Sequence, residues 1–391
     1  MRVLVLTPTF LPVWGGAERL LYEVLIRLVK RHEVYMLTPR QPPHVLQRHQ
    51  QAPQLHIPFP IHRYTEKHRW DQVRGRRLHR GFFPPFGLSA ISTTQDLVRR
   101  LKPDVIHVYY AIPTGLAGLI ARWRYHIPMV LSFIGRDVPG PDTPAGWGYY
   151  DRLLANAADE VTFVSHYCRK AIYGHRASTK GIIIGAGVHA PLRVSPEQVL
   201  ALRQRLRIDA DTVVLFALQR LSSYKGVDVL IRGMEHLIDV PCVLLIAGSG
   251  TDRPRLEALV AERSLQDRVR FLGFVEEETL PAYWALADLF LFHSYYETFG
   301  LVIAEAMAAG KAVVSVRNTA IPEVVEDGVT GLLVEPGNPQ ALAAAIRQLI
   351  RAPEKRQAMG KAGSAKAMRL YSWDAVAQAY ETALQGALAY G

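Results

Sequence analysis

Cysteine is nearly absent from this chain of 391 residues: only Cys168 and Cys242 occur, far apart in sequence. Two thiols so placed exclude a disulfide scaffold and point to a reducing cytoplasm. Long apolar runs are missing too, since none approaches the roughly 20 residues that a bilayer-spanning helix needs. The opening MRVLVLTPTF has one Arg, a short apolar run and Pro8, which reads as a buried strand and a turn rather than a signal peptide. No Gly-x-Gly-x-x-Gly stands between a strand and a helix, which argues against a dinucleotide site. Ala247-Gly248-Ser249-Gly250 lacks the Lys-Ser/Thr of a nucleotide P-loop. Asp209-Ala210-Asp211 precedes a strand and reads as a turn, so no acidic pair marks a metal site at a strand end. What is present is apolar material, 49% of the residues, with 21% charged. That balance excludes a disordered or fibrous chain and supplies two domain cores, or three.

The net charge is +11 and unevenly spread. Residues 1–190 hold 25 Lys+Arg against 12 Asp+Glu, and the remainder 21 against 23. A basic front half and a near-neutral back half suggest different partners for each. The excess peaks where Arg63, Lys67, Arg69, Arg74, Arg76, Arg77 and Arg80 meet only Glu66 and Asp71, around Trp70. Cations interleaved with aromatics suit an anionic membrane surface, an anionic acceptor or nucleic acid. A solvated loop in an Arg-rich protein accounts for them equally well.

Short β-branched or apolar runs alternate with helical stretches. Strands are predicted at 2–7, 33–38, 104–109, 128–133 and 159–164, with helices at 18–31, 89–101, 115–124, 146–157 and 166–173. The interval 39–85 shows little periodicity. The pattern breaks at 185–196, a candidate linker. A second series follows, with strands at 212–217, 242–247, 268–272, 288–292 and 312–316 and helices at 226–238, 254–263, 278–286 and 300–309. Helices dominate from 338 onward. Alternation of this kind argues for parallel sheets covered on both faces. Ligands of such sheets bind beyond the carboxyl ends of the strands.

Four places there suit chemistry. Gly15-Gly16-Ala17-Glu18 opens a helix after the first strand, where free N–H groups suit a phosphate; a tight turn is the plainer reading. Arg220 and Lys225, five residues apart between a strand and a helix, can converge on one anion. Gly248 gives room beside them. In Glu297-Thr298-Phe299-Gly300-Leu301-Val302-Ile303-Ala304-Glu305, Glu297 lies at a helix mouth. Glu305 lies about two turns inside and is expected to be buried and to need hydroxyl partners. The N–H groups of residues 299–301 are free to hold a phosphate.

Gly15-Gly16-Ala17-Glu18, Arg220…Lys225-Gly226, Leu272-Gly273-Phe274-Val275, Glu297-x7-Glu305 and Tyr371-Ser372-Trp373, in this order along the chain, resemble the retaining glycosyltransferases of the GT-B fold, family 4 (group 1). The resemblance covers nearly the whole chain and is densest over 212–334. It implies an α/β protein of two Rossmann-like, doubly wound parallel-sheet domains facing a cleft. Residues 1–188 would form an acceptor-side domain, joined by a crossover helix 372–391. Residues 189–371 would form the nucleotide-sugar domain. By position, Arg220 and Lys225 would grip the donor diphosphate, Glu305 the ribose and Glu297 the transferred sugar. Thr298 and the backbone of Phe299, Gly300 and Leu301 would hold sugar and phosphate. Gly15 and Gly16 would close over the diphosphate, and the base would lie near Val275 and Glu277. His107, read as ending its strand, matches a position facing the sugar. Two departures, Ile134-Gly135-Arg136-Asp137 and Ala186-Gly187-Val188-His189, fall on the acceptor side and hinge, and leave Asp137 and the basic stretch as acceptor-side or membrane-side candidates.

The resemblance implies transfer with retention from a UDP-, GDP- or ADP-linked sugar to a glycan, lipid or lipid-linked acceptor. No metal or cofactor is required on this reading. The expected setting is the cytoplasm, with peripheral contact at the inner membrane face if the basic stretch docks on lipid. A nucleotide-sugar epimerase and a non-catalytic sugar-nucleotide or glycan-binding module remain alternatives. Nucleic acid is not expected, because no recognition motif accompanies the charge.

Overall fold

The computed structural model describes residues 1–41, 55–65, 88–135, 138, 147–174 and 180–389. These divide into two compact units, residues 1–187 with 373–391, and residues 188–372.

The first unit is built on a seven-stranded sheet of order β3-β2-β1-β4-β5-β6-β7. Its strands are β1 (Arg2–Leu6), β2 (Glu33–Pro39), β3 (Ile61–Tyr64), β4 (Val105–Tyr109), β5 (Met129–Phe133), β6 (Glu160–Phe163) and β7 (Ile182–Ile183). Every pairing is parallel. Val3 to Leu6 and all of β4 and β5 are buried. Buried on both faces, they read as continuous apolar runs rather than alternating ones. The helix Gly16–Leu28 buries Leu20, Leu21, Val24, Leu25 and Leu28, the stripe its spacing predicts. The helix Trp373–Leu388 belongs to this unit and buries Trp373, Val376, Ala377, Tyr380, Ala383, Leu384 and Ala387. Gly187 is glycine because a Cβ there would overlap the Trp373 ring. The interval 39–85, read as lacking periodicity, contains β3. That strand is four residues long, lies at the sheet edge and buries only Tyr64, so it leaves no alternating signal.

The second unit has a six-stranded parallel sheet of order β10-β9-β8-β11-β12-β13. The strands are β8 (Val213–Leu218), β9 (Cys242–Ala247), β10 (Val269–Gly273), β11 (Leu289–Leu291), β12 (Ala312–Val316) and β13 (Gly331–Val334). β13 and the helix Pro196–Arg205 are additions to the sequence expectation. That helix begins where the linker was expected to end, fixed by a capping box between Ser195 and Gln198. In both sheets the chain winds outward on one side and then crosses back, so strand order reverses between β1 and β4 and between β8 and β11. Loops diverge at such a reversal and leave room for a ligand at the carboxyl edge. Among the described residues no helix is long and apolar enough to cross a membrane.

Candidate functional site

The residues singled out in the second unit fall on one edge. Arg220 and Lys225 follow β8, Gly248 follows β9, Val275 and Glu277 follow β10, and Glu297 to Leu301 follow β11. These four strands are contiguous in the sheet. β10 and β8 are two strand spacings apart, about 10 Å, which is comparable to the reach from a base to its diphosphate.

The reversal between β8 and β11 carries the most polar contact. Lys225 Nζ donates to Glu297 Oε2 at 2.6 Å, with side-chain exposures of 15% and 17%. The ammonium also lies over the rings of Tyr224 and Phe292, at 5.3 and 5.5 Å. A half-buried cation so placed is oriented by both charge and ring faces. Glu297 is held from the backbone side, its N–H donating to Thr319 Oγ1 at 3.1 Å. Its Oε1 accepts the N–H of Thr298 at 3.3 Å. Arg220 is exposed and makes no side-chain hydrogen bond or ion pair among the described residues. It is thus a free guanidinium beside a paired lysine.

Gly300 caps the eight-residue helix Leu301–Ala308 with φ +94, a left-handed conformation that suits glycine. Its carbonyl accepts from Ile303 and Ala304, while the N–H groups of Phe299, Gly300 and Leu301 have no acceptor among the described residues. Phe299 packs edge-on against Tyr371, ring centroids 5.1 Å apart, which anchors the helix start. Burial of Tyr371 raises its phenol pKa to about 12. Glu305 corrects an expectation: it is half-buried, not buried. Ile303, Ala304, Ala306, Met307 and Ala308 face the core, and Leu301, Val302 and Glu305 share the open side at helical spacing. Neighbouring apolar residues concealed which face the carboxylate occupies.

The glycines after β9 have a structural cause. A Cβ at Gly248, where φ is +128, would overlap the carbonyl of Gln219, and one at Gly250 that of Leu221. The N–H of Gly248 donates to Gly273 O at 2.7 Å. These glycines let the Arg220 loop lie flat on the β9 edge. Beyond β10, Phe274 is exposed, Val275 half-buried and Glu277 exposed.

Sequence reasoning passed over His293, two residues beyond β11. It is buried, and its Nε2 accepts the N–H of Gly337 at 3.0 Å. Its ring occupies the space a Cβ at Gly226 would need. Burial pulls its pKa down to about 4, against a smaller upward pull from Asp228. The only sequence signal was a histidine closing an apolar run.

In the first unit His107 departs from expectation. It is the third of five residues in β4, not the last, and is wholly buried. Nε2 shares a 2.7 Å hydrogen bond with Ser132 Oγ, which in turn meets Thr162 Oγ1 at 2.7 Å. The ring packs on Tyr109 and Tyr380. Desolvation lowers its pKa to about 3. A neutral histidine enclosed in this way is a core residue, and it does not face the sheet edge. Gly15 precedes the first helix turn and Gly16 is exposed. Glu18, buried in that turn, accepts from Thr9 Oγ1 at 2.6 Å, and its Oε2 would lie 3.1 Å from a Cβ on Gly15. The chain's own carboxylate therefore sits at the helix end assigned to a phosphate. Arg63 donates to Leu11 O at 2.7 Å from the edge strand β3; burial and nearby Arg40 lower its pKa. Arg69, Trp70, Arg74, Arg76, Arg77 and Asp137 lie outside the described residues. Among the described residues no cluster of His, Cys, Asp and Glu could hold a metal ion.

Residues 199–366 match the family described as glycosyl transferases group 1, and residues 14–190 match glycosyltransferase family 4. A D-inositol 3-phosphate glycosyltransferase of Geodermatophilus obscurus is 30% identical, over 72% of this chain and 67% of its own. A GDP-mannose-dependent alpha-(1-6)-phosphatidylinositol monomannoside mannosyltransferase of Mycolicibacterium smegmatis is 28% identical over 95% of both chains. The crystal structure of Anabaena HepE in complex with UDP superimposes with a TM-score of 0.79 and 25% identity, covering 98% of this chain and 100% of that one.

Proposed function

Because the chain belongs to the glycosyl transferases of group 1, with the GT-B type of fold, we propose that it moves a sugar from a nucleoside-diphosphate donor to a hydroxyl acceptor with retention of configuration and without a metal. The observation that carries this reading is the Lys225–Glu297 pair at the β8/β11 reversal, flanked by the free guanidinium of Arg220 and the unused N–H groups of residues 299–301.

In the reaction the bond from the anomeric carbon to a phosphate oxygen breaks, and the acceptor oxygen bonds to that carbon. The acceptor proton passes to the departing diphosphate. Negative charge grows on the leaving group, where Arg220, Lys225 and the helix mouth stabilise it. Glu297, oriented by its contact with Lys225, accepts hydrogen bonds from hydroxyls of the transferred sugar. Glu305, on the open helix face, accepts those of the ribose. The base lies along the β10 loop near Val275 and Glu277. The UDP bound to HepE and the GDP-mannose named for the mannosyltransferase support this donor class. A glycan, lipid or lipid-linked acceptor bearing negative charge suits the basic first 190 residues.

A thermal-shift panel of UDP, GDP and ADP with their sugars tests the donor, because a ligand that binds the folded state raises the melting point. Charge-assisted contacts contribute about 1.5–3 kcal/mol each. Arg220→Ala should therefore lower turnover tenfold to a hundredfold, at about 1.4 kcal/mol per decade. Its stability should change by less than about 0.5 kcal/mol, since the side chain is exposed and unpaired. Activity should survive EDTA. A folded Arg220→Ala/Lys225→Ala double variant with near-normal turnover refutes the assignment.

A further inference from the structure

We propose that His293 is a positioning residue for sugar transfer: its neutral imidazole, wedged between Gly226 and Gly337, holds the Lys225 loop in register with the Glu297 loop. The inference rests on the reading above and extends it to a residue that touches neither donor nor acceptor.

His293 is 1% exposed. Its Nε2 accepts the Gly337 N–H at 3.0 Å. Only an unprotonated nitrogen can accept, so the ring carries its proton on Nδ1. Nδ1 is buried and has no hydrogen-bond partner among the described residues. A buried polar atom left unpaired is costly, and an apolar ring would fill the same volume without that cost. The bond to Gly337 gives the imidazole a reason to be there.

Its surroundings connect that bond to the site. On one side the ring lies directly against Gly226, whose φ of +57 turns the chain from Lys225 into the following helix. On the other, Gly337, with φ +71, belongs to the loop after β13. Phe292, one residue earlier, lies under the Lys225 ammonium. Tyr295, two residues later, stacks edge-on against the imidazole at 4.8 Å and donates its N–H to Tyr224 O at 2.9 Å. Glu297 follows two residues after that. Among the described residues, His293 is thus where the ends of β8 and β11 and the loop after β13 meet. A shift of its ring moves Gly226, and with it the anchor of Lys225.

The test compares wild type, His293→Phe and His293→Gln in UDP and GDP binding, sugar transfer and thermal melting. Phe fills the space without an acceptor, whereas the Gln carbonyl can still reach Gly337. The Phe variant should lose about tenfold in kcat, the effect of one lost buried hydrogen bond passed on to the site; Gln should recover most of it. Nitrogen NMR of the histidine-labelled wild type should show Nδ1 protonated and Nε2 bare at neutral pH. Equal kcat in wild type and a folded Phe variant overturns the proposal, as does a folded Gln variant no better than Phe, or a proton on Nε2. If the Phe variant does not fold, the Gln variant and the tautomer decide. Wild type that binds neither nucleotide nor transfers sugar instead overturns the glycosyl-transfer reading, and the positioning role with it.

Discussion

Two buried histidines tie stability to pH in the same direction. His107 titrates near 3 and His293 near 4 in the folded chain, both below the ordinary value because burial disfavours the imidazolium. The unfolded chain binds these protons at about 6.5, so between that pH and the folded values it holds more protons than the native state. Stability is therefore full above pH 6.5 and falls as the pH drops toward 4. By pH 4 each histidine accounts for roughly 3 kcal/mol of lost stability, at about 1.4 kcal/mol per pH unit. Urea midpoints at pH 7.5, 6 and 5 should decline in turn, and replacing His107 with Gln should flatten part of the slope. A slope unchanged by that substitution would place the sensitivity elsewhere. The sequence places Lys225 and Glu297 in loops that end parallel strands, and such loops converge in space even when 72 residues apart; that the two side chains pair with each other is visible only in the structure. His107 was misplaced for a related reason: sequence shows that a residue belongs to a strand, but the register decides whether its side chain reaches the edge. Val108 and Tyr109 still follow it in β4.

Gly248 argues the element scale. The β8–β9 pair is in register from Val213↔Cys242 to Leu218↔Ala247, and the two loops that leave it lie in direct contact. At Gly248 φ is +128, a region that side chains rarely adopt, and the added carbon would strike the backbone carbonyl of Gln219. Gly248→Ala should therefore cost about 2–4 kcal/mol, combining backbone strain with an overlap that no rotamer relieves. It should weaken nucleotide binding more than its distance from Lys225 suggests, because the Arg220 loop must lift. A differential-scanning melt and a UDP titration measure the two effects separately; a variant as stable as wild type would contradict the packing described. The major strands and helices of both sheets were readable because fully buried parallel strands are apolar runs and their crossover helices carry 3.6-residue stripes. β3 and β13, each four residues long, were missed because neither is long enough to display a period.

At the scale of the whole molecule, the chain enters the first unit, builds the second without interruption from 188 to 372, and returns to the first for its last helix. The Tyr371-Ser372-Trp373 sequence marks that return. Val188 N–H donates to Tyr371 O at 2.6 Å on the second unit's side, while Trp373 lies over Gly187 on the first unit's side. The returning helix is not an appendage. Its seven buried apolar side chains, from Trp373 to Ala387, cover β4, β5 and β6 and the first helix. Glu381 is buried within it and paired with Arg31 and His32 at 2.6 and 2.7 Å. At roughly 1–3 kcal/mol per large side chain, this contribution is of order 10 kcal/mol. Whole domains are stable by only about 5–15 kcal/mol. Removing residues 373–391 should therefore unfold the first unit outright, leaving Arg31 and His32 without their carboxylate. The second unit, which takes no residue from that segment, should keep its own transition. Calorimetry of the shortened chain should show one cooperative melt in place of the full chain's heat, with protease cleavage confined to residues 1–187. A shortened chain that melts like the full one would mean that the first sheet holds together without this helix, and that its buried ion pair and tryptophan contribute little.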